Sequence, residues 1–228
     1  MNLLSLNASA GVLALAILFS ACADDGDSSS NAPESSVGLL KACKTGAADN
    51  CVYSSLTDSR DNRSYKTVKI GNQEWMAENL NVKTSDSYCY NDSAEYCEKY
   101  GRLYEWTAAK EACPHGWHLP NKDEWLALFA SVGDSSSANL DLKSTSGWID
   151  NLNGSDAYGF SMLPGGFRDV GGTYINEKHV AFFWSSVDKD DACAYYLSFV
   201  STSSIKLGDS SMKLDYKKEA LSVRCVKD

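Results

Sequence analysis

Apolar positions recur along the chain with a period that changes from segment to segment. Tyr65-Lys66-Thr67-Val68-Lys69-Ile70 alternates, Gly71-Asn72 offers a turn, and Gln73-Glu74-Trp75-Met76 follows, which predicts a β-hairpin. Across Ser93–Ala112 the period lengthens: Tyr96, Tyr100, Leu103, Tyr104 and Ala108 recur at helical spacing, so one helix is expected there, weakened at Gly101 and ended by Pro114. Gly116-Trp117-His118-Leu119-Pro120 reads as a short strand or turn. A second helix opens at Asn121, with that residue as N-cap and Glu124 at the capping-box position. Trp125, Leu128 and Phe129 form its buried stripe, and Gly133 follows its end. The polar stretch Ser131–Asn153 predicts a surface loop, where binding specificity usually sits. Short strands are expected at Tyr158–Leu163, Val180–Val187, Ala194–Val200, Ser204–Leu207 and Leu221–Lys227. In the last of these Leu221, Val223 and Cys225 share one face, and Ser222 and Arg224 the other. Two helices followed by a strand-rich half predict an α+β domain.

The longest apolar run lies at the amino terminus. Gly11–Ala21 reads GVLALAILFSA, without a charge, and Cys22 follows at once. An apolar core ending in small residues is the form of an export signal, here residues 1–21. A cysteine directly after it resembles a bacterial lipobox, in which Cys22 would be lipidated and anchor the chain to a membrane by its acyl groups. The n-region lacks Lys and Arg, and Phe19 stands where Leu is usual. Residues 22–36 hold nothing large to bury and predict a flexible tether. Its acids Asp24, Asp25 and Asp27 suit either a sorting signal for the outer surface or a solvated spacer. Residues 37–57 form a cysteine-containing extension, and 58–228 the folded domain.

Composition narrows the function. Apolar residues make up 43%, enough for a core, and the formal net charge is −9. That charge opposes nucleic-acid binding. No second apolar run is long enough to make a polytopic membrane protein. Of the eight cysteines, seven remain beyond Cys22, and an exported chain is expected to oxidise them. Cys43–Cys51 and Cys89–Cys97 share the spacing C-x7-C, and each small loop would contribute roughly 2–3 kcal/mol. A bridge from Cys113 to Cys225 would close most of the domain and contribute about 5 kcal/mol. Sequence alone does not choose among the pairings. With those three bridges Cys193 is the odd thiol, expected to be buried and inert.

Several ordered blocks together carry a resemblance. YKTVKIGNQEWMAENLN, YCYNDSAEYCEKYGRLYEWTAA, ACPHGWHLPNKDEW, YGFSMLPGGFRD, FFWSS, AYYLSF and LSVRCVKD, spanning about Leu56 to Asp228, resemble the Fibrobacter succinogenes major paralogous domain family. The resemblance implies an exported, often lipid-anchored surface protein. GWHLPxxxEW and SVRCV also resemble the C-type-lectin-like fold of formylglycine-generating enzymes and of variable ligand-binding proteins. This implies a compact α+β domain whose ends meet in one sheet, which would suit the Cys113–Cys225 bridge.

The chemistry expected of those enzymes is missing. Their cysteine pair falls where Val200–Glu219 holds neither Cys nor Arg. No H-E-x-x-H, G-x-S-x-G or P-loop occurs. His118 is expected as a hydrogen-bonded core residue, and Arg168 suits equally a ligand contact or a buried salt-bridge partner of the fold. Asp150, Asn151, Asn153 and Asp156, with Asp169, offer oxygen ligands for calcium, although Asx-rich turns commonly bond their own backbone. Five tryptophans fall in periodic apolar blocks. Trp148 in the polar loop is the expected ligand contact, joined by Tyr158 and Tyr174. The resulting expectation is a non-enzymatic outer-membrane or cell-surface lipoprotein with a disulfide-bonded C-type-lectin-like domain. It would bind a polysaccharide or an envelope protein. The alternative is a structural envelope or adhesion component, and a degenerate enzyme ranks third.

Overall fold

The computed structural model describes Cys22 and residues 40–133, 135–201 and 212–228. The export signal, the remainder of the tether and the strand expected at Ser204–Leu207 lie outside the described residues. The strands are β1 (Lys44–Thr45), β2 (Ala48–Asp49), β3 (Tyr53–Thr57), β4 (Ser64–Ile70), β5 (Gln73–Met76), β6 (Ser87–Tyr88), β7 (Leu103–Glu105) and β8 (Trp117–His118). Then come β9 (Phe167–Arg168), β10 (Tyr174–Ile175), β11 (Val180–Asp188), β12 (Cys193–Val200), β13 (Met212–Tyr216), β14 (Ala220–Ser222) and β15 (Val226–Lys227). The helices are α1 (Ala94–Tyr100), α2 (Trp106–Ala112), α3 (Lys122–Val132) and α4 (Ser135–Leu142). Strands dominate over helices, and the sheets are mostly antiparallel; the expected pair of helices becomes four short ones.

One sheet has the order β3-β4-β5-β15-β8. The other runs β10-β9-β14-β11-β12-β13, with β7 on β14 and β6 on β7. Only β11 against β14 is parallel among the named pairs. Two cores result. Trp75, Trp125, Phe160, Phe183 and Phe199 fill the first, where α3 packs on the sheets, and the Trp75 and Trp125 rings lie 4.8 Å apart. Tyr104, Trp106, Phe182, Trp184, Leu221 and Val223 fill the second. The α3 capping box forms as the sequence predicts, with Asn121 accepting from the Glu124 amide and Glu124 from the Asn121 amide.

Four local expectations change. The helix expected over Ser93–Ala112 breaks at Gly101, whose φ is 74°. A Cβ there would sit 2.7 Å from the Leu80 carbonyl oxygen, so only glycine permits this approach. Beyond it Leu103–Glu105 becomes a strand, because pairing with β14 and β6 outweighs the helical spacing. Ser131–Asn153 is not a surface loop: it contains α4, and Ala138, Leu142, Lys143 and Trp148 are buried. Tyr158–Leu163 is not a strand, since Asp156 bonds the Ser161 amide and hydroxyl and folds the segment into turns. Leu221–Lys227 divides into β14 and β15, and the residues between them cross the interior.

Four disulfides join Cys43 to Cys51, Cys89 to Cys97, Cys113 to Cys225 and Cys22 to Cys193. Cys193 is therefore not an odd thiol; the cysteine set aside for lipidation is its partner. One sulfur cannot carry both a thioether and a disulfide, so in this structure Cys22 is not free to hold an acyl anchor.

Candidate functional site

The second sheet shows its chemistry on its outer face. Register sets Tyr174 opposite Arg168, Arg168 opposite Ala220, and Ala220 opposite Glu105. Side chains directly opposite in a ladder share a face. One row therefore reads Tyr174, Arg168, Ala220, Glu105 across β10, β9, β14 and β7. The next row on that face is Tyr88, Leu103, Ser222. The intervening residues Phe167, Tyr104 and Leu221 point the other way, into the second core. Ala220 lies between Arg168 and Glu105 in the row but is fully buried in a cluster with Tyr90 and Leu103, and two strand spacings, roughly 10 Å, separate the Arg168 and Glu105 backbones.

Tyrosines border the row. The Tyr90 ring lies 5.3 Å from both Tyr96 and Tyr174. Gly166, with φ 65°, admits Tyr90: a Cβ there would meet its ring at 2.9 Å. The LPGGFR segment thus serves packing with its glycine and presents its arginine beside it. The Arg168 guanidinium lies 4.1 Å from the Tyr88 ring centre and 5.9 Å from that of Tyr174. Beside it runs a groove of about 460 Å³, lined by Glu105, Thr107, Arg168, Val170, Lys217 and Lys218, among others.

The polar groups of this face are partly committed. Glu105 accepts from the Tyr88 hydroxyl at 3.0 Å and from Lys218 at 2.8 Å. Tyr174 donates to Asp92 at 2.5 Å, and burial, reinforced by that bond, pushes its pKa up to about 12. Arg168 is half-buried and makes no ion pair among the described residues, which removes the salt-bridge alternative of its two expected roles.

Just beyond Lys218, Glu219 is buried, bonded to Asp215, with Oε2 unpartnered. Burial and the neighbouring Asp215 raise its pKa far above the usual carboxylate range. The folded protein keeps this proton at neutral pH, whereas the unfolded chain releases it near the ordinary value of 4.5. Above that value the unfolded state holds fewer protons, so this group makes stability fall as pH rises. Glu219→Gln is expected to leave the melting temperature near about pH 4 unchanged and raise it at about pH 8. Melting curves across that range are the check, and parallel profiles for both proteins would refute the assignment.

The sequence-predicted contacts fare unevenly. Trp148 is 4% exposed; its indole donates to Ser144 Oγ at 3.1 Å, and Lys143 Nζ lies 4.1 Å over its ring. It is a core residue, not a ligand contact. Tyr158 is also buried, its hydroxyl directed at the Leu40 and Val132 carbonyls. Tyr174 alone of the three lies on the candidate face.

The calcium set does not assemble. Asp150 and Asn151 are exposed, and Asn153 Oδ1 accepts from the Trp148 amide. The Asp156 carboxylate is taken by Lys44 and Ser161, and Asp169 accepts from the Thr173 amide. Among the described residues no group of three or more His, Cys, Asp or Glu could hold a metal ion.

His118 is hydrogen-bonded, but at the surface rather than in the core. Its ring nitrogens lie 2.7 Å from Glu124 and from Asp228. Burial works against its charge, yet these two carboxylates outweigh that and raise its pKa.

A sequence profile of the Fibrobacter succinogenes major domain matches residues 68–227. The chain belongs to this family. The Fibrobacter succinogenes major domain takes in the run from within β4 to β15, and so the whole of the tyrosine–arginine face. The β1–β2 hairpin and β3 precede it; β3 pairs with β4 and extends the first sheet. No curated protein and no solved structure matched the chain. Sequence reasoning missed Tyr88 and Glu105 and did not join Arg168 to them, because their rows exist only once distant strands are in register.

Proposed function

We propose that this is an exported cell-surface protein whose domain binds an extracellular ligand, without catalysis, on the tyrosine–arginine face. The row Tyr174–Arg168–Ala220–Glu105 carries the reading. It gathers an arginine, phenolic hydroxyls and a lysine-held carboxylate around a small apolar cluster, on the face of the sheet opposite the second core. No histidine lines the groove among the described residues. The ligand is a saccharide or an envelope protein, and we favour a saccharide for the polar, hydroxyl-matching character of the face. We read the domain as C-type-lectin-like; in support, strands near both ends, β4, β5 and β15, lie in one sheet.

Four disulfides support export, since such bridges persist in oxidising compartments. Among the described residues no helix is long and apolar enough to cross a membrane. Attachment through lipid on Cys22 requires the Cys22–Cys193 bridge to be absent and leaves Cys193 a thiol. Intact mass and thiol counting separate those two forms.

A glycan array tests the function, with the disulfide-bonded chain beside Arg168→Gln and Tyr174→Ala. Binding that both substitutions abolish, at unchanged melting temperature, is the expected result. A folded protein that binds nothing would instead favour a structural role in the envelope, and binding indifferent to both changes would move the site elsewhere.

A further inference from the structure

The groove carries a local charge opposite to that of the chain. The net charge is −9, yet the groove lining holds three cations, Arg168, Lys217 and Lys218, against two carboxylates, Glu105 and Asp191. Lys218 is bonded to Glu105, and Lys217 to Asp188. Among the described residues Arg168 is thus the cation of this groove that has no carboxylate of its own. The Tyr88 and Tyr174 rings hold its guanidinium on a fixed course, so little freedom is lost when its fork takes a ligand. A guanidinium fork matches a carboxylate through two parallel charge-assisted hydrogen bonds.

We propose that this groove binds an acidic sugar, a uronic-acid residue of a saccharide, with Arg168 taking the carboxylate; the proposal rests on the binding role assigned above to the same face. Around that anchor the sugar hydroxyls meet Thr107, Lys218 and the outward edge of Glu105. Val170, 58% exposed at the rim, offers the apolar contact that a sugar ring's C–H face accepts. A peptide added as a strand is the weaker fit, because the edge strand β10 has only two residues to pair with. A polyphosphate is weaker still, because the field of a −9 chain opposes dense anions, while a single guanidinium suits a single carboxylate.

Cellobiouronic acid, its methyl ester and cellobiose make the test, since they differ only at C6 of one ring. Each is titrated calorimetrically into the disulfide-bonded chain, with chelator present to remove any cation bridge. The acid is expected to bind about tenfold or more tighter than the ester and cellobiose, a preference that weakens with salt. Arg168→Gln should abolish the preference and Arg168→Lys should keep part of it, both at unchanged melting temperature. Equal binding of all three sugars, lost on Tyr174→Ala, would overturn the acidic-sugar assignment and leave the binding face standing. A preference that survives Arg168→Gln would overturn the role of the arginine. No binding of any of the three by the folded protein would overturn the assignment, and a silent glycan array beside it would overturn the binding role as well.

Discussion

Arg224→Met is expected to destabilise the fold by about 3–5 kcal/mol, because it leaves several buried acceptors without a donor at about 1–3 kcal/mol each. The side chain is fully buried, and among the described residues no carboxylate forms an ion pair with it. Its guanidinium donates instead to Asn79 Oδ1 at 2.6 Å, to the Met76 carbonyl at 3.1 Å and to the Ser161 carbonyl at 3.2 Å, and also to the Phe160 carbonyl. Two effects compete on substitution. Burial disfavours the charge and pushes the arginine pKa down to about 9, so removing the cation relieves a cost. Removal also strands four acceptors, each worth about 1–3 kcal/mol when buried without a donor. The acceptors win by number. Arg224→Lys should not rescue the fold, because one ammonium cannot span the 76–79 and 160–161 segments together. Urea unfolding with disulfides intact measures both; a methionine variant within about 1 kcal/mol of the parent would refute the account.

This residue also shows where sequence reading stops. Alternation in LSVRCV sends Ser222 and Arg224 to the face opposite Leu221 and Val223, which on a half-exposed strand would be solvent. The sheet instead ends at Ser222, and the chain dives between two cores before pairing again at Val226. Nothing local marks that crossing, since it is imposed by segments 63 to 148 residues away in sequence. The β4–β5 hairpin, α3 with its capping box, β11 and β12 were legible because their signals are local: alternation, a turn pair, an N-cap with Glu three residues on. The candidate face was legible at Tyr174 and, as one of two open roles, at Arg168. Tyr96 and Tyr100 read as one helical stripe with Leu103 and Tyr104, and only the Gly101 break separates the helix from the strand that carries Glu105. Trp148 misled for the converse reason: a polar, Ser- and Asn-rich setting hides an indole that is buried by α4 and the turn after it.

Removing the Cys113–Cys225 bridge by paired alanines is expected to cost about 4–5 kcal/mol, against about 2–3 kcal/mol for Cys89–Cys97. The contrast follows from loop length. The first pair is separated by 112 residues and the second by 8, and cross-linking the longer loop removes more freedom from the unfolded chain. The Cys22–Cys193 bridge overlaps the first loop and adds a second route between its ends, which restrains them further in the unfolded chain. Closure entropy grows only logarithmically, so this trims the difference without erasing it. Position adds to entropy here. Cys113 directly follows α2, and Cys225 is fully buried just before β15, where its carbonyl accepts from the Met76 amide. The bridge therefore fixes α2 to the strand that closes the first sheet beside β5 and β8, close to the place where Arg224 crosses. Losing it should also make Arg224→Met costlier than either change alone would suggest, a coupling that a double-variant cycle reads directly. Equal costs for the long and the short bridge would show that native contacts around the sulfurs, rather than the unfolded chain, set their worth.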